Sequence, residues 1–165
     1  MNAVTSAKRG ALPQLAGWVV LTATAAALGA FASVHAAEFY ARLDRPGWAP
    51  PAWLFGPVWS VLYLMMAVAA WRVGRTAVAG AAPALRLYLA QLTVNALWSW
   101  LFFAWHLGAA AFVCIVVLWM MIVATIVLFG RRERLAAMLL GPYLAWVSFA
   151  GGLCFSIWQR NPALL

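Results

Sequence analysis

The sequence predicts an all-α integral membrane protein, a five-helix bundle with a loop dense in proline and tryptophan between its first and second helices. Three observations carry this prediction. Hydrophobic residues make up 67% of the 165-residue chain and charged residues only 8%, too little polar material to cover a soluble domain of this size. Five apolar stretches each reach the roughly 20 residues that a helix needs to cross the hydrocarbon core. None alternates with the period of a barrel strand, and each is too long for one.

The first stretch, about Leu15–Val34, follows Lys8 and Arg9. Val34-His35-Ala36 resembles a signal-peptidase site, so a cleaved signal peptide competes with a retained helix. The apolar stretch is longer than a usual signal core, which favours retention. The second helix, Leu54–Val73, follows the segment "RPGWAPPAWLFGPVWSVLY", with four prolines and three tryptophans. Pro46, Pro50 and Pro51 cannot continue a helix and stiffen the connector, and the residue before each is biased towards extended geometry. The expectation is a rigid cap over the outer mouth of the bundle, with Trp48 and Trp53 at the membrane interface. Pro57 falls in the first turns of the second helix, where a missing N–H costs least. The remaining spans are Leu85–Trp105, Ala109–Phe129 and Leu135–Trp158. Short connectors join all five into one domain over residues 1–165, and no repeat suggests inverted halves.

The net charge of +8 comes from eleven Lys and Arg in short groups between the spans. There is no basic stripe of the kind that meets nucleic acid. Lys8, Arg9, Arg72, Arg75, Arg86, Arg131, Arg132 and Arg134 fall on the N-terminal side, and only Arg42, Arg45 and Arg160 on the other. The positive-inside rule therefore places the N-terminus in the cytoplasm, with a bacterial inner membrane as the expected location. Glu38, Asp44 and Glu133 are expected in loops, leaving no carboxylate at mid-span, which argues against a proton-coupled pump. Cys114 and Cys154 lie in apolar runs without metal-ligand spacing and read as small buried hydrophobes. His35 and His106 read as solvated loop-end residues, and no metal site is expected.

Neutral polar residues are more informative. Gln91, Asn95 and Ser99 recur every four residues and share one helix face, with Tyr88 and Trp98 beside them. Phe55, Trp59 and Tyr63 form a stripe on the second helix. Pro142, Trp146, Ala150 and Cys154 form another on the fifth, where Pro142 can kink the helix. Two readings stay open: hydrogen bonds between helices, worth about 0.6 kcal/mol each, or a pocket with aromatic walls and a few orienting polar groups. Ala25, Gly29 and Ser33 on the first helix could pack closely against a partner or another helix of the bundle.

The segment "FYARLDRPGWAPPAWLFGPVWSVLYLMMAVA" closely resembles the start of the second helix in the TspO/MBR family, the tryptophan-rich sensory and translocator proteins. "YLAQLTVNALWSWLFF" and "RRERLAAMLLGPYLAWVSFAGGLCFSIW" resemble the same family's third and fifth helices. The resemblance implies a five-helix bundle, usually a homodimer, that binds porphyrins such as protoporphyrin IX and haem, without a required cofactor. By motif position it implies that Trp59, Asn95 and Trp146 line the ligand, that Tyr40, Pro50 and Pro51 form a lid, and that Ala150 faces the ligand. With the stripes and the cap, the expected binding set is Tyr40, Trp48, Pro50, Pro51, Phe55, Trp59, Tyr63, Gln91, Asn95, Trp98, Trp146 and Ala150. Leu153-Cys154 departs from the family's Leu-Asn. Phe155 before Arg160, with no tyrosine, departs from the sterol pattern of animal members, so only weak sterol binding is expected.

Three functions follow as expectations. One is porphyrin binding in tetrapyrrole sensing, regulation or transport. Another is light- or oxidant-dependent porphyrin degradation, with no acid–base pair or nucleophile visible to support other catalysis. The third is a membrane assembly partner without a small-molecule ligand.

Overall fold

The computed structural model describes residues 11–76 and 81–165; Lys8 and Arg9, used in the charge count, lie outside the described residues. The elements are α1 (Ala11–Ala32), α2 (Ala36–Arg42), a short 3-10 turn (Ala52–Leu54), α3 (Phe55–Gly74), α4 (Ala81–Ser99), α5 (Gly108–Gly130), α6 (Arg134–Leu139) and α7 (Gly141–Arg160). A π-helical turn, Trp100–Ala104, extends α4. Five stretches are long and apolar enough to cross a membrane: Leu12–Ala32, Ala52–Gly74, Ala81–Ala104, Gly108–Gly130 and Arg134–Arg160. No strand occurs among the described residues. Around the bundle α1 packs against α3 and α4, α4 against α5, α5 against α6 and α7, and α6 and α7 close the ring against α3.

Three details differ from the sequence-based expectation. Glu38 lies in the short helix α2, not in a loop. The third span begins at Ala81 rather than Leu85 and ends in the π turn, where Trp105 N donates to Trp100 O at 2.8 Å and Leu107 N to Leu101 O at 2.8 Å. The fifth span is broken rather than kinked. Pro142 has no N–H to continue the ladder, so the chain turns at Leu140 and α7 restarts with proline in its first turn.

Polar side chains tie the helices together in the core. Thr22 of α1 and Tyr88 of α4 share a hydrogen bond of 2.7 Å between their hydroxyls. Thr125 of α5 donates to Gln91 Oε1 at 3.0 Å. In lipid such groups have no water to turn to, so pairing them fixes which helix faces meet. Gly29 allows α1 to approach α4 closely, since a Cβ there would lie 3.2 Å from Ser99 Oγ. The small-residue spacing on α1 therefore serves contacts inside the bundle.

At the Arg-rich end, Glu133 caps α6 by accepting from Leu135 N at 3.2 Å and pairs with Arg72 of α3. The hydrogen bond from Arg72, aided by Leu135 N–H, holds its carboxyl below the ordinary 4.5. Below pH 4.5 the unfolded chain takes up this proton before the folded one does. The stabilisation from Glu133 is thus present above that pH and lost as pH falls through the lowered value. The stability difference between wild type and Glu133→Gln is expected to shrink on acidification, as read from thermal midpoints in nanodiscs. A constant difference would show that Glu133 does not titrate as a partner of Arg72.

Candidate ligand-binding site

A cavity of about 440 Å³ lies between the α2-proximal halves of α1 and α3, with α2 over it and the end of α4 behind. Its size falls in the range of ligand pockets, roughly 300–1,000 Å³. The stripe Phe55, Trp59 and Tyr63 supplies the α3 wall, because residues four apart stand above one another on a helix. Trp98, Ser99 and Phe103 form the back wall, and Gly29, Ala30 and Ser33 form the α1 wall. Small residues on α1 leave the volume that the aromatic residues opposite then border. Ala30, Gly56 and Ser60 at its edge are exposed, so the cavity opens sideways between α1 and α3.

Tyr40 closes the end beneath α2. Its ring lies edge-on to Phe55 at 5.6 Å, and its hydroxyl donates to the Pro50 carbonyl at 3.0 Å. The Arg45 guanidinium sits over the same ring, 4.7 Å from its centroid. Burial raises the Tyr40 phenol above its usual 10.0, opposed by the hydrogen bond and charge of Arg45. The phenol therefore stays protonated and can serve as the donor that holds the proline segment. A second tether acts from the far end of the chain. Asp44 N donates to Asn161 Oδ1 at 2.8 Å, and Asn161 Nδ2 donates to the Asp44 carbonyl at 3.0 Å.

The chemistry of the cavity is aromatic and hydroxylic. Trp59 and Tyr63 tilt against one another at 5.4 Å between centroids, presenting ring surface to a flat guest. Tyr63 donates to Asn95 Oδ1 at 2.5 Å, and Asn95 Nδ2 donates to Tyr143 at 3.1 Å. Ser33 and Ser60 spend their protons on the carbonyls of Gly29 and Gly56, which leaves oxygen lone pairs to accept from a ligand. Among the described residues no carboxylate lines the cavity.

Of the expected binding residues, Tyr40, Phe55, Trp59, Tyr63 and Trp98 line the cavity. Asn95 stands one layer behind and acts through Tyr63. Trp146 is also a second layer, edge-on to Phe55 at 5.9 Å, with its buried indole N–H unpaired. Trp48 packs on Phe149 at 5.7 Å, beyond Trp146. Pro50 takes part through its carbonyl, while Pro51 is exposed. Gln91 is fully buried against Thr125, and Ala150 is buried in α7 away from the cavity. The sequence pattern did not single out Ala30, Ser60 or Phe103, nor Tyr143 as the second partner of Asn95. The small-residue run on α1 was the available signal for that wall.

Five membrane-crossing helices, with an aromatic cavity near one end, define an integral multi-pass membrane protein. The TspO/MBR family model matches residues 18–159, and the chain belongs to that family. It is 39% identical to Protein CrtK of Rhodobacter capsulatus over 92% of this chain and 94% of that one. It is 36% identical to the tryptophan-rich sensory protein of Cereibacter sphaeroides over 87% and 92% of the two chains. It is 34% identical to the translocator protein of Bos taurus over 88% of each.

Proposed function

We propose that this protein binds porphyrins, protoporphyrin IX or haem, or other flat apolar ligands in the α1–α3 cavity, in tetrapyrrole sensing, regulation or transport. The observation that carries the reading is the pairing of a ring-lined cavity with a cation, Arg45, over the Tyr40 ring that closes one end of it. A porphyrin face would stack on Trp59 and Tyr63, and Arg45 would meet a propionate by a charge-assisted hydrogen bond. Arg42, the other candidate cation, borders a different groove. The sideways opening suits a ligand that arrives through lipid. The relatives named for sensing and translocation support the same class. The working form is a homodimer by family likeness. The N-terminus faces the cytoplasm of a bacterial inner membrane by the charge asymmetry.

The test is a titration of nanodisc-held protein with protoporphyrin IX in the dark, followed at the porphyrin Soret band. Saturable one-site binding is expected, weakened about tenfold by Trp59→Ala, the loss of one stacking surface worth 1–3 kcal/mol in comparable contacts. Asn95→Ala is expected to weaken it less, because Asn95 only orients Tyr63. Absence of saturable binding, or identical binding in both variants, would remove the porphyrin assignment.

A further inference from the structure

On the other side of the α1–α2 corner lies a second groove of about 410 Å³, bordered by Phe31, His35, Glu38, Arg42, Trp100 and His106 among others. Three features show that it is built rather than incidental. The π turn directs Trp100, Phe103 and Ala104 towards it, and such turns are common at functional sites. His106 is the only non-glycine residue with positive φ, 54°, among the described residues. This costly left-handed conformation lays its imidazole on Phe39 at 4.1 Å between centroids. Phe31 and Trp100 meet at 6.0 Å, and Phe31, in the last turn of the first membrane-crossing stretch, is 71% exposed.

The charges are the third feature, and they select the occupant. Glu38 and Arg42 stand four residues apart on α2, a spacing and order that favour an ion pair, yet no ion pair joins them. Glu38 lies 4.0 Å from His35 Nδ1 instead. Among the described residues Arg42 has no carboxylate partner, in common with every arginine except Arg72 and Arg160, but it is the arginine that shares this groove with a carboxylate. One free cation and one carboxylate on the same groove, at the end of a membrane span, complement a zwitterion.

We propose that this groove holds one phospholipid with a primary-ammonium headgroup. The phosphate meets Arg42, the ammonium donates to the Glu38 carboxylate, and an acyl chain lies along Phe31 and Trp100. A purely anionic headgroup would leave Glu38 facing negative charge. A quaternary ammonium has no N–H to give it.

The experiment is native mass spectrometry of the protein released from nanodiscs containing equal phosphatidylethanolamine, phosphatidylcholine and phosphatidylglycerol. One phosphatidylethanolamine is expected to be retained several-fold over the other two. Glu38→Gln is expected to abolish the preference over phosphatidylcholine while phosphate binding remains. Arg42→Ala is expected to lose retention, and Arg42→Lys to keep it. Equal retention of all three lipids by the wild type, or an unchanged preference in Glu38→Gln, overturns the proposal. Displacement by millimolar soluble glycerophosphoethanolamine would also overturn it, by showing that the acyl chain contributes nothing.

Discussion

Asn95→Leu is expected to lower the thermal midpoint of the nanodisc-held protein clearly, by an amount corresponding to about 1–3 kcal/mol for a buried polar group left unpaired. Asn95 is buried and connects three helices: it accepts from Tyr63 on α3 and donates to Tyr143 on α7. Leucine fills a similar volume but offers neither contact. The two phenols then fare differently. Tyr63 borders the cavity and can redirect its hydroxyl there. Tyr143 is fully buried and has no such outlet. The lone interhelix bond of about 0.6 kcal/mol typical of membrane bundles therefore understates the loss. Tyr143→Phe combined with Asn95→Leu should recover part of it, because the stranded hydroxyl is gone. A double variant no more stable than Asn95→Leu alone would show that the Tyr143 hydroxyl is not what makes the substitution costly.

The same residue shows what the sequence discloses and what it hides. Spacing alone put Gln91 and Asn95 on one face of α4, and both are buried. It could not say which helix each would meet, because a period of four residues fixes a direction on its own helix and nothing on the next. Gln91 met Thr125 and Asn95 met two tyrosines. The stripe on α3 was legible for the opposite reason. Phe55, Trp59 and Tyr63 are large, and small residues on α1 leave space in front of them, so the stripe itself becomes a wall. Trp146 matched a family motif, yet Phe55 stands between it and the cavity. Which of two stacked rings faces a cavity depends on helix rotation, which no local pattern records. An irregularity before α7 was legible in Pro142, since a missing N–H acts wherever it occurs, but it read as a kink and the structure has a break. The π turn was not legible, since nothing in "WLFFA" departs from ordinary helix-forming sequence.

Gly108→Ala is expected to destabilise the protein and to loosen the proline-rich 43–51 segment that lies far from it in sequence. Gly108 opens α5. A Cβ there would lie 2.6 Å from Trp158 Cδ1 and 2.9 Å from both Trp158 Cγ and Leu165 Cβ. Alanine normally gains up to about 1 kcal/mol over glycine in a helix interior, and less at a first position. Overpacking of a filled site costs about 1–3 kcal/mol. The clash decides the sign because it falls on the ring body of Trp158, which stacks on Phe112 at 6.1 Å and cannot rotate away like a flexible chain end. The displacement is passed along α7 to Asn161, three residues on, whose side chain holds Asp44 through two hydrogen bonds. Protease accessibility at the 43–51 segment should therefore rise in Gly108→Ala together with the fall in thermal midpoint. Gly152→Ala is the control: it is an exposed helical glycine with nothing within 4 Å of its Cβ position, and it should be neutral or slightly stabilising. If Gly108→Ala melts like the control, the α5 entrance has room that its contacts with Trp158 deny, and the link from α5 through the C-terminal turn to the 43–51 segment fails with it.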